Sequence, residues 1–112
     1  MQLTISRNSS LDAIFSSLAD ETRRDILNRV SKKQLSVGEI AKHYKLTFAA
    51  ISKHLKVLEK ASLIIKQRRG KEQIIRISPD ALAMANKYLE TYEQHWENRL
   101  NNLDKLLTGK KS

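Results

Sequence analysis

Residues 36–64 read SVGEIAKHYKLTFAAISKHLKVLEKASLI, and no other stretch of this chain restricts its fold so tightly. Ser36-x-x-Glu39 has the two residues of a capping box, in which each side chain satisfies the other residue's backbone amide. It predicts a short helix with Val37, Ile40, Ala41 and Tyr44 facing inward. Lys45-Leu46-Thr47 follows as a turn, and Thr47 opens a second helix that runs to Lys60. There Ile51, Leu55 and Leu58 recur at helical spacing as a buried stripe. At about 100° per residue, Lys53, Lys56 and Lys60 lie opposite the stripe, with Ser52 and His54 on its flanks. Two short helices and a turn, the second apolar on one side and basic on the other, form a helix-turn-helix over residues 36–61.

The charge falls on the same segment. Of the net +9 in 112 residues, a net +8 lies between Lys42 and Arg76, where ten basic residues stand against Glu59 and Glu72. A field so focused suits a polyanion, because neutralised phosphates release condensed counterions. A solvated lysine-rich face explains the charge by itself; its coincidence with the helix-turn-helix favours DNA.

Around this centre the remaining periodicities complete one domain spanning residues 1–112. Leu11, Ile14, Phe15 and Leu18 predict a first helix over residues 9–19, with Ser9 and Asp12 as a weak capping box. Asp20 caps a second, whose apolar side is Ile26, Leu27 and Val30. After Leu63 the β-branched run IIKQRR-GK-EQIIRI predicts a hairpin of about six residues per strand, centred on Gly70-Lys71, within a wing over residues 63–78. Ser78-Pro79-Asp80 then starts a terminal helix over residues 79–107, ahead of a frayed basic tail, TGKKS. The fold class is mainly α with a β-hairpin, in the order α-α-α-α-β-β-α: a winged helix-turn-helix with an extra helix at each end.

Other classes are disfavoured. The chain has no cysteine, hence no disulfide framework and no thiolate metal site. No apolar run exceeds Ala81–Ala85, too short to span a bilayer, and MQLTISRNSS lacks the apolar core of a signal peptide. A cytoplasmic protein without membrane association is expected. No nucleophile, base and orienter set is visible and the glycines form no phosphate loop, so no enzyme and no cofactor are expected.

A reading helix must bury one face and offer the other to the major groove. Thr47, Phe48, Ala49, Ser52 and Lys53, near its N-terminal end, are placed for base edges, and Lys56 for phosphates. Phe48 has no hydrogen-bonding group, so it meets DNA through a thymine methyl or else packs in the core under the turn. His54 either contacts DNA or packs with a satisfied ring nitrogen. Lys60 either meets phosphate or complements the helix dipole. The hairpin tip, Arg68, Arg69 and Lys71 around Gly70, either keeps an exposed edge soluble or lies on the DNA backbone or in the minor groove.

These motifs together resemble the ArsR/SmtB family of bacterial winged-helix repressors over nearly the whole chain. SLADETRRDIL is similar to the family's L-x-D-P-T-R-x-x-I-L, with Glu21 where proline is common. ISKHLKVLEKASLI is similar to its S-x-H-L-x-x-L-x-x-A-G-L-[IV], matching at Ser52, His54, Leu55, Leu58, Ala61, Leu63 and Ile64, with Ser62 in place of glycine. The resemblance implies a homodimer that binds an operator upstream of its own operon and blocks transcription. It also has departures. Metal sensors of the family carry Cys-x-Cys where this chain has Ser36, Val37 and Gly38, or clustered ligands on the terminal helix, where this chain has only His95. The resemblance is therefore to the metal-independent branch, with no metal site. Phe48 replaces a frequent glutamine, so the family's base preference does not carry over.

The terminal helix is more apolar than a small domain needs. Leu82, Ala85, Leu89, Tyr92 and Trp96 alternate by three and four, and Leu100, Leu103 and Leu107 continue the stripe. With Leu11, Ile14 and Phe15 of the first helix, the residues Leu82, Ala85, Leu89, Tyr92, Trp96 and Leu103 are expected to form a two-fold interface. Two reading helices one DNA turn apart then require an imperfect palindrome of double-stranded DNA. The reading is a homodimeric, sequence-specific DNA-binding repressor, autoregulatory and non-catalytic. The alternatives are a nonspecific architectural nucleic-acid binder and a winged-helix protein-interaction module.

Overall fold

The computed structural model describes residues 2–108, with side chains over 10–107. Along the chain run α1 (Gln2–Leu18), α2 (Glu21–Lys32), β1 (Leu35–Ser36), α3 (Val37–Ala41), α4 (Phe48–Lys60), β2 (Ile64–Arg69), β3 (Glu72–Ile77) and α5 (Pro79–Thr108). The tail expected at TGKKS lies, past Thr108, outside the described residues.

Capping chemistry sets the starts of the central helices. Asp20 Oδ2 accepts the Arg23 amide at 3.0 Å, and Thr47 Oγ1 accepts that of Ala50 at 3.0 Å. At α3 both arms of the capping box form: Glu39 N–H donates to Ser36 Oγ at 3.1 Å, and Ser36 N–H to Glu39 Oε1 at 2.8 Å. Helix α4 ends in a Schellman turn, with Leu63 N–H donating to Leu58 C=O at 3.0 Å and Ser62 N–H to Glu59 C=O at 2.9 Å. That turn needs a left-handed residue, and Ser62 supplies it at φ 61°.

The expected element order needs one correction. Ser36 and Leu35 form a short strand against β3, in the register Leu35↔Ile75 and Ser36↔Ile74, so the hairpin belongs to a three-stranded antiparallel sheet of order β1-β3-β2. Two residues are too few to show a period, and their partners lie far away in the sequence. The hairpin itself pairs Ile64↔Ile77 through Arg69↔Glu72, and Ser78 N–H donates to Leu63 C=O at 2.9 Å to close its base.

Two helix boundaries also differ from expectation. Helix α1 reaches back to Gln2, so Ser9 lies inside it rather than at its cap. Helix α3 stops at Ala41, because the His43 and Tyr44 amides turn to carbonyls three residues back.

The core is a single cluster to which Ile14 of α1, Ile26, Leu27 and Val30 of α2, Ile40 of α3, Ile51, Leu55 and Leu58 of α4 and Ile75 of β3 contribute, with Phe15, Leu18 and Tyr44 packed against it. Only the start of α5 joins, through buried Ala81 and Ala85 and half-buried Leu82. From Asn86 to Leu107 every side chain is exposed, which gives the molecule its 66 × 36 × 21 Å dimensions. Among the described residues no helix is long and apolar enough to cross a membrane.

Candidate nucleic-acid interface

With Ile51, Leu55 and Leu58 turned into the core, α4 presents its opposite side to solvent. Thr47, Phe48, Ala49, Lys53, Lys56 and Lys60 are exposed, and Ser52 is half-buried at the margin. Phe48 is 64% exposed, so the core alternative for this residue is ruled out. It stands at the first helical position, ahead of the buried stripe, where nothing obliges it to turn inward.

The wing adds a second row of cations. Arg68, Arg69 and Lys71 are exposed at the hairpin tip. Gly70, at φ 61°, takes the one positive φ in the two-residue turn, the pattern of a type II′ hairpin. Lys66 Nζ lies 3.3 Å from Glu59 Oε1, which ties the base of the wing to the last turn of α4. Between them opens a hollow of about 350 Å³, lined by Phe48, Ser52 and Leu55 of α4, Lys66, Lys71, Glu72 and Gln73 of the wing, and the start of α3. Phe48, Ser52 and Lys71 thus share one hollow, while Arg68 and Arg69 stand outside it.

His54 points elsewhere. Its Nδ1 lies 3.7 Å from Asp20 Oδ2 and 3.5 Å from Arg23 Nη1, and its side chain is 21% exposed. The packing alternative describes it, and His54 does not join the outward row of Lys53 and Lys56. The Arg23 backbone amide, with help from the charges of His54 and Arg23, holds the Asp20 carboxyl below its ordinary range.

Three side chains make hydrogen bonds that escaped the sequence reading, although Tyr44 faces inward as expected. Arg23 donates through Nε to Ser17 C=O at 2.7 Å and through Nη2 to Ser16 C=O at 3.1 Å, and Arg24 donates to Leu18 C=O at 2.8 Å. The last carbonyls of α1 are thereby satisfied by the next helix. A signal was present: two arginines in the first turn of a helix oppose its dipole, which suggests that they serve a neighbour. Tyr44 is the third. Its hydroxyl donates to Asp25 Oδ2, which also accepts Arg29 Nε at 3.0 Å, and Arg29 sits 5.7 Å from the Tyr44 ring centre. The Tyr44 hydroxyl first, and Arg29 second, lower the Asp25 carboxyl. Burial first, and Asp25 second, push Tyr44 up to about 12. This cluster fastens the helix-turn-helix loop to α2.

On the proposed dimer side the expected residues divide. Ile14 and Ala85 are 1% and 5% exposed inside the protomer's own core, so they have little surface to offer a second chain. Leu11, Phe15 and Leu82 are half-buried, and the Phe15 ring meets that of Tyr88 at 6.0 Å in a tilted contact, as Tyr88 meets Tyr92 at 6.1 Å. Leu89, Tyr92, Trp96 and Leu103 stand about half exposed. Among the described residues no group of three His, Cys, Asp or Glu side chains is placed to hold a metal.

Residues 20–66 match the family described as bacterial regulatory protein, arsR family. The chain is 35% identical over 83 residues to the HTH-type transcriptional regulator Rv2034 of Mycobacterium tuberculosis, covering 74% of this chain and 78% of that protein. It is 33% identical over 60 residues to the transcriptional repressor SdpR of Bacillus subtilis, covering 54% and 67%. An ArsR-like transcriptional regulator from Rhodococcus sp. RHA1 has a similar structure, with a TM-score of 0.75 at 27% identity, over 88% of this chain and 93% of that one.

Proposed function

The chain belongs to the arsR family of bacterial regulatory proteins, and from that premise we propose that it is a homodimeric, sequence-specific DNA-binding repressor of its own operon. One observation carries the reading: Phe48 and Ser52 of α4 and Lys66 and Lys71 of the wing line a common hollow, while the α4 lysines and the wing-tip arginines are exposed. In this reading α4 enters the major groove. Thr47, Phe48, Ala49, Ser52 and Lys53 meet base edges, and Lys56 meets a phosphate. Arg68, Arg69 and Lys71 follow the backbone or the minor groove beside it. His54 acts indirectly, holding α4 against the start of α2 through Asp20 and Arg23.

Reading with one protomer would cover only half a site. The uncovered stripe of α5, with Leu11 and Phe15 of α1, supports a two-fold dimer whose two α4 helices enter successive major grooves of an imperfect palindrome. The role is regulatory, without catalysis.

Fluorescence anisotropy with the duplex upstream of the protein's own gene tests the proposal. At physiological salt that duplex should bind at least about a thousandfold more tightly than a scrambled one. Equal affinity for both would leave a nonspecific architectural binder as the better description.

A further inference from the structure

The N-terminal end of α4 is unusual in what it withholds. Its first exposed residues, Thr47, Phe48 and Ala49, include none of the arginine, lysine, asparagine or glutamine side chains that grip guanine or adenine through paired hydrogen bonds. Thr47 commits its hydroxyl oxygen to the helix cap and otherwise brings a methyl group. Ala49 brings another. Phe48 brings a ring that is 64% exposed, although the core is complete without it.

What covers that ring is indicated by its surroundings. Lys66 and Lys71 line the hollow that Phe48 shares, beside Glu72, and Lys53 and Lys56 stand exposed further along the helix. An apolar protein surface brought to Phe48 would have to desolvate these cations, whereas a polyanion satisfies them. The apolar group on the floor of the major groove is the 5-methyl of thymine, a known partner for alanine, threonine methyl and phenylalanine. Three consecutive residues of those three types stand here.

We infer that the N-terminal end of α4 reads thymine methyl groups, with Phe48 as the principal reader, so that each half-site carries an A·T pair beneath it. The inference rests on the repressor reading above and adds the chemistry of the base. It makes Phe48 a specificity-determining residue in place of a hydrogen-bonding one.

The test begins by selecting duplexes from a randomised library with the full chain, then replacing each selected thymine by deoxyuridine, which removes only the methyl. Thymine should recur at one fixed position in each half-site. Deoxyuridine there should weaken binding about fourfold per half-site, and about fifteenfold in both, the loss expected for one buried methyl each. Phe48→Ala should bind the thymine and deoxyuridine duplexes with nearly the same reduced affinity, while Lys56→Ala weakens both and keeps their ratio.

Specific binding that is indifferent to deoxyuridine overturns the inference and leaves the repressor reading standing. So does a Phe48→Ala variant that keeps the preference for thymine. Selection that returns no preferred sequence overturns both.

Discussion

The winged body and the far half of α5 are built on opposite terms. From Asp20 to Ser78 the apolar stripes converge, and Ile26, Ile40, Ile51, Leu58, Leu63 and Ile75 are all fully buried. From Asn86 to Leu107 the helix keeps the same spacing but no side chain is buried, and Trp96 is 51% and Leu106 81% exposed. The body satisfies its hydrophobic pattern within one chain. The distal helix does not, and an apolar stripe of that length calls for a surface on another molecule. One half is ordered by packing within the chain; in the proposed dimer the other is covered by a second copy.

The sharpest way to break this contrast is Trp96→Glu. A buried aromatic anchor at a dimer interface contributes upward of about 2 kcal/mol, so the dimer dissociation constant should rise at least about thirtyfold. Sedimentation equilibrium measures it, and far-ultraviolet circular dichroism should show the winged body still folded. Unchanged self-association would mean that the exposed stripe serves something else.

A smaller effect is expected at the tie between the body and its helix-turn-helix loop. Tyr44→Phe should cost about 1 kcal/mol of stability near neutral pH by removing the hydroxyl from Asp25. Asp25 has a lowered folded-state value, so its contribution is present above the ordinary carboxylate range and is lost as pH falls through the folded value. Tyr44 has a raised value, so its contribution is complete below about 10 and is lost as pH rises towards about 12. Urea unfolding of wild type and variant should therefore differ most in the middle of the pH range and converge at both ends. A pH-independent difference would contradict the assignment.

The smallest effect is a gain. Ser62 holds the left-handed position of a Schellman turn at φ 61°, so Ser62→Gly should raise stability by roughly 0.5–1 kcal/mol without altering self-association. A loss in thermal unfolding would show that the serine side chain makes a compensating contact.

How much of this was legible in the sequence depended on how local the cause was. The hairpin was readable to the residue, because β-branched runs flank a single Gly-Lys pair. The caps at Asp20, Ser36 and Thr47 were readable because each acts within three residues of itself. Strand β1 was not, since its pairing to Ile74 and Ile75 is a product of the tertiary fold. The Asp25–Tyr44 bond joins positions 19 apart, and no spacing rule reaches across that distance. On α4, periodicity put Lys53, Lys56 and Lys60 on the exposed side, where they lie, but left open Phe48, which precedes the stripe, and His54, which borders it. The structure turns the first outward and the second towards Asp20.

In the proposed dimer, α5 joins two winged bodies so that they read one palindrome. Native mass spectrometry of the full chain with a selected duplex tests it most directly. Two chains per duplex are predicted, with the Trp96→Glu variant falling to one chain and losing affinity. A single wild-type chain bound at full affinity would contradict the claim.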